Sequence, residues 1–169
     1  MINGKKISLQ PLDRSHLEMT RTWMNDPDLM RLLGRAAPVS AAEHKRWFSG
    51  IQKREDCAFF AILAVGSKRH IGNVWLWDID RRHRKAELRI VVGDRDWVGR
   101  GVGVEAISLL CRHGFKKQKL HKIYAYVLGI NPRARRAFEK AGFVVEGTLR
   151  ADRWVGDGFT DVYLLGRIA

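Results

Sequence analysis

The stretch from Ala86 to Lys117, AELRIVVGDRDWVGRGVGVEAISLLCRHGFKK, constrains this chain more than any other. It opens as a strand, with Glu87, Arg89 and Val91 on one face and Leu88, Ile90 and Val92 on the other. Gly93 ends that strand, and glycines at 99, 101 and 103 then lead into a helix whose apolar stripe is Val104, Ile107, Leu110, Cys111 and Phe115. Strand, glycine loop and helix in that order require a layered fold with helices packed on a sheet. Glycines just ahead of a helix let backbone N–H groups approach a ligand closely, and the free first-turn amides with the helix dipole favour an anion. A turn that merely needs flexible residues is the alternative. The spacing G-x-G-x-G is not the G-x-G-x-x-G of a dinucleotide fold, and no Gly-Lys-Ser/Thr of a P-loop follows.

The flanking sequence supplies the other layers. KISLQPL (6–12) alternates as a strand; Ser15 with Glu18 is a capping box opening a helix that Asp26-Pro27 stops, and a helical turn over 28–33 follows. Ser40 with Glu43 is a second capping box, opening a helix to about Lys53 with Trp47, Phe48 and Ile51 on one face. Residues 58–65 and 70–79 read as a hairpin, 80–85 as a basic loop and 122–128 as a strand. Asn131-Pro132 caps a helix that Gly142 closes, and two further strands, FVVEGTL and FTDVYLLGRI, end the chain. The order is β-α-α-β-β-β-α-β-α-β-β, an α/β (α+β) arrangement with a mixed sheet.

A length of 169 residues suits one domain, 1–169. No apolar run reaches the ~18–20 residues of a membrane span and MINGKKISLQ lacks a secretion signal, so a soluble cytosolic protein is expected. Cys57 and Cys111 are expected as free thiols, Cys111 as a buried one and not a nucleophile. The six histidines show no metal spacing, so no metal is expected. Lys and Arg number 31 against 18 Asp and Glu, a net charge of +13 that attracts anions, so phosphate-bearing ligands are favoured over polyamines. No helix-turn-helix, RNA-recognition or zinc-finger signature turns that charge into a nucleic-acid interface.

Val98-Gly99-Arg100-Gly101-Val102-Gly103 resembles the phosphate loop of the GNAT acetyltransferases, Arg/Gln-x-x-Gly-x-Gly/Ala, with Val98 in place of the long polar residue. NPRARRAFEKAGF, residues 131–143, resembles that family's Asn-x-x-Ala-x-x-x-Tyr-x-x-x-Gly-Phe, with Phe138 in place of tyrosine. WMNDP (23–27) and AAEHKRWF (41–48) resemble the branch acting on ribosomal-protein N-termini, spermidine and nucleotide-linked amino sugars. The resemblance implies a splayed central sheet of about seven strands flanked by about four helices, and acetyl-CoA as co-substrate. It also implies direct attack of a primary amine on the thioester. Ile90, Val91, Val92, Val98, Gly99, Arg100, Gly101, Val102, Gly103, Val104, Asn131 and Phe138 would then bind acetyl-CoA, with an amide of 90–92 polarising the thioester carbonyl.

An alkylamine with a pKa near ~10 must lose a proton before it attacks. Glu87 matches the position of the family's carboxylate and is the candidate base, the alternative being a strand residue paired with Arg89. Because Phe138 cannot protonate the leaving thiolate, water, Tyr124 or Tyr126, or departure as the thiolate remain. On charge, a nucleotide-linked amino sugar is the first acceptor expected, with WMNDP and the two early helices walling its cleft and Trp47 or Trp75 stacking on it. An N-terminal acetyltransferase of proteins and a basic nucleic-acid-binding protein are the alternatives; a homodimer is compatible with either enzyme reading, and no membrane partner is expected.

Overall fold

A computed structural model describes residues 1–169. Its strands are β1 (Ile2–Asn3), β2 (Ile7–Pro11), β3 (Ala58–Ala64), β4 (His70–Asp80), β5 (Lys85–Val92), β6 (Lys122–Leu128), β7 (Val144–Val155) and β8 (Gly158–Ile168). Its helices are α1 (Leu17–Met24), α2 (Pro27–Leu32), α3 (Ala41–Ile51), α4 (Val102–Lys116) and α5 (Pro132–Lys140). One sheet runs β1-β2-β3-β4-β5-β6-β8-β7, antiparallel everywhere except between β5 and β6. A parallel pair cannot be joined by a hairpin, and α4 is the crossover that joins this one.

The two faces of the sheet are covered differently. Phe60 and Ile62 of β3 turn toward the main core, where Ala106, Ile107, Leu109, Leu110 and Cys111 of α4 pack with Ile7, Leu9, Leu76, Leu88 and Ile123. Ala61 and Leu63, the alternate residues, turn toward Phe48 and Ile51 of α3 and Leu12. Burial on both faces is why AFFAILA reads as an unbroken apolar run. Gly93 lies where Trp23 of α1 closes on the backbone, and a Cβ there would run into the indole ring.

Several expectations are corrected. The sheet has eight strands and the chain five helices, where about seven and about four were expected. The extra strand, β1, is two residues long and carries no periodicity, and the turn anticipated over 28–33 is a six-residue helix, α2, that starts one residue earlier with Asp26 as cap. The first capping box is not Ser15 with Glu18. Asp13 takes that place, accepting from the Ser15 N–H at 2.9 Å while its own N–H donates to His16 Nδ1 at 3.1 Å. The second box forms as expected, Ser40 Oγ accepting from Glu43 N–H and Glu43 Oε2 from Ser40 N–H. On α4, Val104 and Phe115 are half-buried and Ala106 and Leu109 take the deeper positions. Both cysteines are free, and burial pushes the Cys111 thiol up to about 12.

A histidine network ties α1 to β4. His70 Nε2 lies 2.9 Å from Asn73 Oδ1, Asn73 Nδ2 donates to Thr20 Oγ1 at 2.9 Å, and Thr20 Oγ1 donates to the His16 carbonyl. The rings of His16 and Trp23 each meet the His70 ring edge-on at 4.7 Å. Burial lowers the pKa of His70, and of His44 and His113, below the ordinary histidine value of 6.5. The unfolded chain therefore binds protons that the folded chain refuses. Stability is fully present above about pH 6.5 and declines as pH falls below it, levelling off beneath the folded-state values. Urea unfolding midpoints are expected to drop between pH 7.5 and 5.5, and His70→Gln, which keeps an amide partner for Asn73 but cannot titrate, should flatten that slope.

Candidate active site

The site is made by a fork in the sheet. β5 and β6 pair only through Lys85–Lys122, Ala86–Ile123 and Glu87–Tyr124; beyond Glu87, β5 stays on β4 while β6 leaves with β8. Strands that part leave unpaired backbone facing the gap, which must be satisfied by something other than the ladder.

One cleft opens from the fork toward the glycine loop, with a volume of about 250 Å³. Ile90, Val91 and Val92 form one wall, Val98, Gly99, Gly101, Val102, Gly103 and Val104 the floor, and Asn131 and Phe138 of α5 the other wall. Gly99 and Gly101 hold φ of +82° and +81°, the left-handed region that favours glycine. Gly101 caps α4 without a side-chain bond, and none of the backbone bonds outside regular elements uses an amide of residues 99–104 as donor. A run of free N–H groups at a helix start is an anion site. Cations surround it: Arg133, Arg136 and Lys140 line the cleft, and Lys6 Nζ, from the residue just before β2, donates to the Arg100 carbonyl at 2.8 Å.

A second cavity of about 510 Å³ lies over the neighbouring strands, beneath α1, α3 and the segment between α2 and α3. Trp47, Phe59, Trp75 and Trp77 wall it, joined by Arg35, Glu43, His44, Asn73 and Arg89. Trp75 stacks on Phe59 at 5.3 Å and Trp47 on His44 at 5.0 Å. His44 is 5% exposed, its Nε2 has no partner, and burial followed by the charges of Arg21 and Arg35 keeps it neutral at pH 7. The Glu43 carboxylate is occupied by Ser40.

Glu87 lines neither space and lies on β5 two residues from Arg89, which lines the aromatic cavity. It is 8% exposed, with Trp77 opposite it on β4 and Tyr124 opposite it on β6. Arg89 grips both of its oxygens, Nε to Oε1 at 2.7 Å and one terminal nitrogen to Oε2 at 2.8 Å. Burial first, then the Glu87 charge, raises the Tyr124 pKa above the ordinary phenol value. Phe138 is buried edge-on against Phe143 at 5.0 Å.

The fork thus gathers all but one of the residues anticipated along the glycine loop and α5. The exception is Arg100, whose side chain lies by the Trp97 ring and outside the cleft lining. The early helices divide: Thr20 and Met24 of α1 and Glu43, His44 and Trp47 of α3 line the aromatic cavity, whereas Leu29 and Leu32 of α2 line the glycine-loop cleft. Lys6 and His44 were missed. Lys6 sits 94 residues from its bond partner, and His44 resembled any other polar residue on a helix.

Residues 6–144 match the family model described as an acetyltransferase (GNAT) domain. The chain is 35% identical over 160 residues to a spermidine N(1)-acetyltransferase of Vibrio cholerae, covering 94% of this chain and 91% of that protein. It is 28% identical over 149 residues to the spermidine N(1)-acetyltransferase of Escherichia coli K12, covering 88% and 78%. A crystal structure of the Vibrio cholerae spermidine N-acetyltransferase with CoA and spermine superposes with a TM-score of 0.92, at 25% identity over 98% of this chain and 96% of that one. No helix is long and apolar enough to cross a membrane.

The glycine loop can be probed without breaking the fold. Gly101→Val forces a branched side chain into the left-handed region, so it strains the backbone whatever binds there. Gly103→Ala is the cleaner change, since its Cβ would meet only Val92 Cγ2 at an ordinary 3.8 Å. Calorimetric titration should show weaker CoA binding in both variants, with the melting temperature lowered in Gly101→Val and held in Gly103→Ala.

Proposed function

Since the chain belongs to the GNAT acetyltransferase family and is an acetyl-CoA-dependent N-acetyltransferase, we propose that it acetylates a polyamine-type primary amine held in the aromatic cavity beside Glu87. The observation that carries this reading is the junction at β5. Ile90, Val91 and Val92 line the anion-binding cleft, Arg89 lines the aromatic cavity, and Glu87, which lines neither, is held by Arg89, two residues further along the same strand. The pyrophosphate of acetyl-CoA lies on the amides of residues 99–104, with Lys6, Arg133 and Arg136 balancing its charge. Its pantetheine arm fills the gap between β5 and β6, taking up the backbone groups that the fork leaves unpaired.

The amine arrives largely protonated and gives its proton to Glu87, directly or through water. Its nitrogen then attacks the thioester carbonyl carbon, an amide of 90–92 supports the oxyanion, and the C–S bond breaks. Water protonates the departing sulfur, with Tyr124, whose pKa burial raises above the ordinary phenol value, as the other donor. Phe138 supplies no proton and serves as a buried wall.

The polyamine reading draws on the spermidine acetyltransferases among the relatives and on the cavity lining. Aromatic faces attract ammonium groups, and the neutral His44 has an unpartnered nitrogen for one to bond. It displaces the nucleotide-linked amino sugar, which net charge had ranked first among the acceptors of the resembling branch. One observation favours a second reading. Arg35 and Arg89 also line the cavity while its one carboxylate, Glu43, is engaged, which suits an amine bearing an acidic group.

Glu87→Gln is expected to lower kcat about 10²-fold or more, the usual worth of a general base, with CoA binding unchanged. An unaltered kcat would assign deprotonation to water alone. Thiol release with spermidine and with an amine carrying a carboxylate decides the acceptor: preference for spermidine supports the polyamine reading, and preference for the acidic amine replaces it.

A further inference from the structure

We infer that Arg89 is a displaceable plug on Glu87, a positioning residue that the acceptor's own ammonium must replace before the proton can move. The inference rests on the amine-acetylating reading of this site. Glu87 and Arg89 share a face of β5 two residues apart, and the guanidinium occupies both carboxylate oxygens. Arg89 lines the aromatic cavity and Glu87 does not, so the guanidinium that holds the carboxylate is the part of the pair the cavity meets. On the other side β6 has already left, and nothing pairs with Arg89 there. An amine entering from the cavity therefore meets the guanidinium first.

The pair is built to be exchanged. Glu87's side chain is 11% exposed, but that of Arg89 is 45% exposed, and an ion pair with one end in solvent is held weakly. Arg89 also has somewhere to go. Its guanidinium carbon is already 5.5 Å from the centre of the Trp77 ring, and Arg54, tethered by Asp56, lies over the same ring at 4.1 Å. That indole tolerates cations. When the ammonium takes Arg89's place, one of its N–H bonds breaks, an O–H bond forms on Glu87, and the neutral amine is left facing the thioester. Arg89 keeps its charge throughout. Before the acceptor arrives, the same grip fixes the carboxylate in place on β5. Any cationic amine must compete with it.

The test is steady-state kinetics on the full chain with n-butylamine, spermidine and γ-aminobutyrate, comparing wild type with Arg89→Met, Arg89→Lys and Arg35→Met. Arg89→Met keeps the apolar stem and removes the competitor. It should lower KM for butylamine about fivefold or more and leave KM for acetyl-CoA unchanged, because Arg89 does not line the glycine-loop cleft. Arg89→Lys restores a competing charge and should return KM toward the wild-type value. Arg35→Met removes the same charge from the same cavity without touching Glu87, so it should move KM less. An unmoved or higher butylamine KM in Arg89→Met overturns the proposal. So does an equal drop in Arg35→Met, which would reduce the effect to the general field of the cavity. A wild type that acetylates butylamine and ignores spermidine overturns the polyamine reading alone, since the Arg89 comparison is still made with butylamine. Failure of wild type and Arg89→Met alike on all three amines removes the acceptor reading and the plug with it.

Discussion

Three parallel residue pairs hold β5 to β6, and the rest of the molecule follows from how few they are. A longer ladder would satisfy the backbone of Ile90 to Val92 within the sheet and close the gap between the strands. A shorter one would weaken the one backbone pairing that joins β6, β8 and β7 to the first five strands. Because the pair is parallel, its strands must be joined by a crossover, and the crossover begins with the glycine loop. The same topological demand thus delivers a helix N-terminus to the mouth of the fork. Chemistry at the open end of a sheet and an anion site at a helix start are here two consequences of one short pairing.

The position of Glu87 belongs to the same constraint. It is the last residue of β5 to have a partner on β6, so its side chain is fixed by two neighbouring strands while the next same-face residue, Arg89, is fixed by one. Glu87 is accordingly buried and Arg89 half-exposed. A carboxylate fixed in place beside a mobile cation is a different device from a carboxylate free in solvent.

What the sequence revealed and what it hid divide along the range of the interactions. The Ser40–Glu43 box, the Asn131-Pro132 start of α5 and the strand–loop–helix of residues 86–117 were legible because each is complete within a few residues. The fork was legible only through resemblance, since nothing in AELRIVV or KIYAYVL states how many residues of each will pair. The Asp13 cap was misread because Ser15 offers the same chemistry two positions later, and backbone geometry chose the earlier oxygen. Lys6 at the glycine loop and the convergence of Trp47, Phe59, Trp75 and Trp77 on one cavity depend on contacts between distant elements. No local pattern reports those. Trp23 looked like a residue of the acceptor wall and is a core residue instead, because Gly93 yields the space its ring fills.

The net charge of +13 misled for a physical reason. Between exposed groups at physiological salt, a charge is felt over about 8 Å, so a total summed over the whole surface says little about one cavity. The cations nearest the glycine loop, Lys6, Arg133, Arg136 and Lys140, surround a site suited to a polyphosphate, and their charge is already matched once that co-substrate binds. What an acceptor meets next is set within the aromatic cavity: four aromatic side chains, a neutral histidine, two arginines and a carboxylate tied up in a helix cap. Of the two arginines, Arg89 is paired with Glu87 and Arg35 is not in contact with that carboxylate, so Arg35 adds only to the field of the cavity. The groups inside that cavity, Arg89 beside Glu87 first among them, bear on acceptor charge far more than the basic surface as a whole.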